Sequence, residues 1–270
     1  MKKARGEEIK GGFCVKTVPE EYLSPCSRPG RVTEIKYGNK FVLLYTAVSP
    51  ADRILYLIHG GGGDQRSFFC PAFLNMADHM IEKGELPPLY MVFPCFYDPD
   101  ETDKTPASSG VAVKKFIGEL RSKVIPLAES AAGKRFYRET RAVGGFSMGG
   151  VTCWYAFLEA LDLFYRFLPL SGDCWVCGET GGGKYPEETA RRLAAAWEAQ
   201  HSPDFRVHAV TGSRDIAFPN LDAQIKAMAA YPGAFGSRLK YDVLEGGVHD
   251  YETIFRYLYN YLPELFDFDR

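Results

Sequence analysis

The feature that most constrains the fold is an alternation, from residue 54 onward, of short apolar runs with longer amphipathic windows. Ile54–Ile58, Tyr90–Pro94, Arg141–Phe146, Phe167–Leu170, Arg206–Thr211 and Lys240–Leu244 have strand length, and several are continuous apolar runs. Such runs mark strands buried on both faces. Between them lie helical windows at Ala72–Lys83, Val111–Ala131, Met148–Leu161, Glu187–Gln200, Asn220–Tyr231 and Tyr251–Leu262. In the last of these Ile254, Leu258 and Leu262 recur at i, i+4 and form one apolar stripe. Strand–helix alternation of this kind predicts a doubly wound, mostly parallel α/β sheet. Upstream, Val32–Tyr37 and Phe41–Ala47 flank Gly38-Asn39, a pair favoured in tight turns, so an antiparallel hairpin is expected at the amino end. No repeat, low-complexity tract or long linker divides the chain, and one domain over residues 1–270 is expected.

Composition removes other classes. With 32 Lys+Arg against 34 Asp+Glu, the net charge is −2. A nucleic-acid binder or a polybasic membrane-surface protein needs a basic excess, so neither is expected. The 46% hydrophobic content of the 270 residues excludes disorder. The longest apolar stretches are strand-sized and far short of a membrane span. Residues 1–20 carry Lys2, Lys3 and Arg5 but no apolar signal-peptide core. A cytoplasmic chain, or an exported one whose leader has been removed, fits that pattern. The cysteines number seven, so intramolecular pairing would leave at least one thiol free. Cys174 and Cys177 form a C-x-x-C, but no second such pair or nearby histidine accompanies them, so two unbridged thiols are expected rather than a redox or zinc site. No metal and no cofactor are expected. Self-association of the chain stays open.

In a sheet of this type chemistry gathers at the carboxyl ends of strands. The strand Arg141–Phe146 runs through GGFSMGG into a helix, and Gly145, Ser147 and Gly149 make G-x-S-x-G. A serine on a sharp strand-to-helix turn needs small neighbours two residues either side, because larger side chains would collide with adjacent backbone. The helix amino terminus then points at the charge that develops during acyl transfer. The strand Ile54–Ile58 ends in HGGGGD, where the glycines let backbone N–H groups approach a ligand closely. The G-K-[ST] of a phosphate-binding loop is absent. After the third strand of an α/β-hydrolase this is where an oxyanion donor belongs, and the N–H groups of Gly61 and Met148 are the expected pair. His59 is expected to be a hydrogen-bonded scaffold residue.

The base can be sought by exclusion among five histidines. The chain order of the fold, Ser then Asp or Glu then His, removes His59 and His79. His208 lies within a strand and His201 at its amino end. His249 follows the last strand, and Gly246-Gly247 is expected to give its loop freedom to reach Ser147. Between Ser147 and His249, Asp215 follows the strand ending at Thr211 and is the expected acid, with Asp173 as its rival. Asp215 would hold the imidazole tautomer, His249 would deprotonate Ser147, and an acyl-enzyme would form and then be hydrolysed.

Only about sixteen residues separate Phe167–Leu170 from the helix at Glu187, too few for a large cap domain, so an open cleft is expected. Phe68, Phe69, Trp175, Phe218 and Tyr251 flank the catalytic loops and could supply an aromatic wall. The polar stretch Phe96–Gly110 is read as a long loop forming one rim.

The motifs TVPEEYLSPCSRPGRVTEIKY, LIHGGGGD, GGFSMGG, SGDCW, TGSRDIAFPN and GGVHDY stand in the order seen in the esterase-D-like α/β-hydrolases. The chain most resembles the feruloyl and acetyl-xylan esterases of carbohydrate esterase family one, over nearly its whole length. That resemblance implies hydrolysis of hydroxycinnamoyl or acetyl esters on arabinoxylan by Ser147, His249 and Asp215 without a metal, with Trp175 on the substrate wall. The expected substrate is therefore a small-molecule or polysaccharide-linked ester. An acetyl-xylan esterase, an S-formylglutathione hydrolase-like thioesterase or an acyltransferase on the same triad are the alternatives. A non-catalytic carbohydrate-binding module would lack a triad member, and none is lacking.

Overall fold

The computed structural model describes residues 15–266. Lys2, Lys3, Arg5 and Cys14, and most of the stretch read for a leader, lie outside the described residues. Eight strands form one sheet: β1 (Arg31–Tyr37), β2 (Lys40–Thr46), β3 (Ile54–Ile58), β4 (Tyr90–Phe93), β5 (Arg141–Phe146), β6 (Arg166–Leu170), β7 (Arg206–Gly212) and β8 (Leu239–Leu244). Their spatial order is β1-β2-β4-β3-β5-β6-β7-β8. The hairpin β1–β2 turns at Gly38, whose φ of +58° suits glycine. β2 also runs antiparallel to β4, and every pairing from β4 through β3 to β8 is parallel. This is the expected α/β-hydrolase arrangement.

The helices are α1 (Pro71–Glu82), α2 (Pro106–Glu119), α3 (Ile125–Ala132), α4 (Met148–Glu159), α5 (Gly181–Lys184), α6 (Pro186–Ala199), α7 (Phe218–Met228) and α8 (Tyr251–Phe266). Alternation along the strands divides the core in two. Ile54, Tyr56 and Ile58 of β3 join Val113, Phe116, Val151, Leu193 and Leu221 on one face. Leu55 and Leu57 join Phe73, Met76, Tyr257 and Leu258 of α1 and α8 on the other. A sheet covered on both faces needs strands apolar throughout, which is why β3 is buried at every position.

Three helical regions differ from the sequence reading. The stretch Phe96–Gly110 is a loop only as far as Thr105, whose hydroxyl accepts the Ser108 N–H at 3.4 Å while Pro106 opens α2. A threonine cap followed by proline is a helix start, and the polar composition masked it. The window running to Ala131 is interrupted by a π-helical turn at Leu120–Val124 before α3, whose second residue is Pro126. Proline has no N–H to give to the regular ladder, and the widened turn absorbs the gap. α8 continues through Pro263 to Phe266, because Leu265 and Phe266 extend its buried stripe.

Candidate active site

The turn between β5 and α4 puts Ser147 at φ +54°, ψ −114°. This is a strained conformation for a non-glycine residue, and neighbouring backbone holds it there. The Ser147 N–H donates to Leu170 O at 2.9 Å, and its carbonyl accepts the Val151 N–H at 2.9 Å. The flanking glycines are required by close approach. A Cβ on Gly145 would come within 2.6 Å of Ile58 O, and one on Gly149 within 2.0 Å of the same atom. The serine is thereby lifted to the carboxyl edge of the sheet.

There it meets two loops. The Ser147 hydroxyl donates to His249 Nε2 at 2.9 Å, and His249 Nδ1–H donates to Asp215 Oδ1 at 2.7 Å. A carboxylate only accepts, so Asp215 fixes the proton on Nδ1 and leaves Nε2 free to take the serine's. Asp215 is buried, and its Oδ1 also accepts the Ala217 N–H at 2.8 Å. The Gly246-Gly247 pair works differently from expectation. Gly246 makes the turn at φ +73°, and Gly247 confers close packing, since a Cβ on Gly212 would lie 2.2 Å from Gly247 O, and one on Gly247 would lie 2.8 Å from the Tyr257 hydroxyl. The loops that carry Asp215 and His249 are locked back to back.

Asp173, the rival acid, is engaged elsewhere. Its carboxylate accepts the Gly182 N–H at 2.9 Å and the Trp175 indole N–H at 3.2 Å. Burial raises its pKa above the ordinary carboxylate value. The remaining histidines stand away from Ser147, and two of them make structural contacts. His208 is wholly buried on β7 and bonds Asp242 at 2.6 Å, His79 bonds the Ser24 carbonyl at 3.0 Å, and His201 stands at the amino end of β7.

His59, only 1% exposed, donates from Nδ1 to Gly60 O at 2.7 Å, so its Nε2 accepts the Cys95 thiol at 3.2 Å. Its ring stacks on Phe96, and burial holds its pKa down at about 4, so it is neutral at physiological pH. It braces the glycine loop. Within that loop the N–H of Gly60 donates to the Tyr251 hydroxyl, that of Gly62 to the Tyr97 hydroxyl and that of Gly63 to Gly60 O. Among the described residues the Gly61 and Met148 N–H groups have no acceptor, and the two residues adjoin: a Cβ on Gly61 would lie 3.1 Å from Met148 Cγ.

The cleft over Ser147 has a volume of about 150 Å³, and its lining includes Met148, Trp175, Ile216, Asn220 and His249. Trp175 stands on the cleft wall. Phe68 does not: at 1% exposure it packs edge-on against Phe73 and Tyr251 in the core. Of the Phe68-Phe69 pair it is Phe69 that reaches solvent, because α1 needs one large ring beneath it. Phe218 also falls outside the lining, where Ile216, Ala217 and Asn220 take its place. Capped by the Asp215 carboxylate, the turn before α7 directs Ile216 outward, 75% exposed. Ile216 and Asn220 were missed because aromatic content, the signal used for the wall, does not point to them. Cys174 and Cys177 are free, and burial pushes the Cys174 thiol far above its ordinary value. No cluster of His, Cys, Asp or Glu among the described residues could hold a metal ion.

A serine on a strand–helix elbow, bonded to a histidine and through it to a buried aspartate, on a sheet of this order, defines the serine hydrolases of the α/β-hydrolase fold. Residues 75–267 match the model of the Esterase family, described as "Putative esterase", and the chain belongs to that family. It is 33% identical over 276 residues to endo-1,4-beta-xylanase Y of Acetivibrio thermocellus, an alignment taking in 92% of this chain and 24% of that enzyme. The chain thus spans about a quarter of that relative's length. A solved structure of a serine-to-alanine mutant of the feruloyl esterase module from Clostridium thermocellum, complexed with sinapinate, is 31% identical with a TM-score of 0.81, covering 97% of this chain and 96% of that one. The ferulic acid esterase of the anaerobic fungus Anaeromyces mucronatus shares the fold, with a TM-score of 0.72 at 18% identity over 92% of this chain and 96% of that one.

Proposed function

We propose that this chain is a feruloyl esterase, a serine carboxylic ester hydrolase that releases hydroxycinnamic acids from arabinoxylan. The observation that carries the chemistry is the continuous hydrogen-bond chain from Ser147 through His249 to Asp215. His249 Nε2 takes the Ser147 proton as the hydroxyl attacks the ester carbonyl. The imidazolium that forms is stabilised by Asp215, which keeps its charge. The tetrahedral oxyanion is received by the N–H groups of Gly61 and Met148, which have no other acceptor among the described residues. Collapse expels the sugar alcohol with the proton from His249 and leaves a feruloyl ester on Ser147. Water, deprotonated by His249, then releases the acid. The substrate assignment is supported by the match to a feruloyl esterase module complexed with sinapinate.

Hydrolysis of methyl ferulate beside 4-nitrophenyl acetate, on the wild type and on Ser147→Ala, tests the proposal. Turnover of ferulate that vanishes in the variant is the expected result. Acetate turnover without ferulate turnover would move the substrate to acetylated sugars. A strong preference for a glutathione thioester would replace the reading altogether.

A further inference from the structure

The Ser147 cleft, at about 150 Å³, has half the volume of even small ligand sites, which start near ~300 Å³. It can seat an acyl group and little more. A second cavity of about 650 Å³ adjoins it, and Trp175 lines both. On the side of the second cavity the indole packs on α2, where a Cβ on Gly110 would already lie 3.2 Å from the ring. The Tyr155 hydroxyl of α4 donates to Trp175 O at 3.1 Å and ties this wall down.

The second cavity is a groove between two helices. Ala107, Gly110, Val111 and Lys114 of α2 line it, at the i, i+3, i+4, i+7 spacing of one helix face. The core-facing residues of α2 are others: Ser109, Val113, Phe116 and Ile117. Ala107, Gly110 and Val111 therefore give α2 a second, short stripe of small and apolar residues turned to solvent, with Val111 71% exposed. Charged side chains, Lys114, Glu159 and Glu179 among them, border this apolar floor. A sugar ring has the matching character, with apolar C–H faces and a rim of hydroxyl groups.

We propose that this groove is the glycan subsite, holding the pentose chain of a feruloylated polysaccharide on the far side of Trp175 from Ser147. The assignment rests on the feruloyl-ester reading above. The test compares kcat/KM for methyl ferulate and for a feruloylated pentose oligosaccharide, in the wild type, in Val111→Asp and in Tyr137→Asp. Tyr137 is 79% exposed and is absent from the groove lining, so it controls for a new surface charge. The wild type is expected to favour the oligosaccharide by about tenfold or more, through KM. Val111→Asp should lose most of that ratio and Tyr137→Asp should keep it. No preference in the wild type, or a preference that survives Val111→Asp, overturns the subsite while leaving the esterase reading intact. Failure of the wild type on both esters overturns both. A wild-type dimer in sedimentation that Val111→Asp dissociates would assign the groove to a second copy of the chain and overturn the glycan.

Discussion

At the residue scale the account turns on which carboxylate serves His249. Asp215 faces the imidazole, whereas both oxygens of Asp173 already accept hydrogen bonds, from the Trp175 indole and the Gly182 N–H. Asp215→Asn is expected to lower kcat by on the order of 10⁴-fold, since an amide would favour the wrong imidazole tautomer. Asp173→Asn keeps an acceptor for Trp175 and is expected to cost less than about tenfold. Steady-state kinetics on both variants decides the assignment, and the reverse ranking would give the role to Asp173. Chain order and strand edge led to Ser147, Asp215 and His249 from the sequence, because both are consequences of topology. The wall was less legible. Phe68 and Phe69 are the same residue type side by side in the sequence, and only the packing of α1 decides which ring is buried.

At the scale of elements, the site depends on how closely the backbone of β5 and α4 passes β3. Gly149→Ala would set a methyl group 2.0 Å from Ile58 O, a backbone atom that cannot swing away. The expected loss of stability is about 3 kcal/mol, the upper end for overpacking, read as a lowered urea midpoint. An unchanged midpoint would mean that the elbow is looser than described. Further down β5, Arg141 reaches back to Glu129 of α3 at 2.6 Å, with both side chains largely buried. Glu129→Ala strands the guanidinium and is expected to cost about 3–5 kcal/mol in urea unfolding. Strand positions were legible because burial on both faces leaves a continuous apolar run. Helix ends were less so: Pro106 opens a capped helix ahead of the window read at Val111, and Pro263 sits within the last turn of α8 beyond the window ending at Leu262, where burial of Leu265 and Phe266 outweighs a lost hydrogen bond.

At the scale of the whole molecule, the buried His59 links the oxyanion loop to global stability. Its pKa is held at about 4, against an ordinary 6.5. As pH falls below 6.5 the unfolded chain takes up a proton here that the native state refuses until about pH 4. The stabilisation is therefore complete above pH 6.5 and is lost on descent to about pH 4, an amount on the order of 3 kcal/mol. Urea unfolding between pH 7 and pH 4.5 should show this decline, and it should be shallower in His59→Gln. Equal slopes would mean that His59 is not kept neutral by the fold.

The central claim is that Ser147 carries the acyl group. Rapid acid quench during turnover of a feruloyl ester, followed by intact-mass and peptide analysis, tests it most directly. The account predicts a mass increase equal to one feruloyl group, confined to the peptide that contains Ser147 and absent from Ser147→Ala. An adduct on another residue, or hydrolysis that persists in Ser147→Ala, would contradict it.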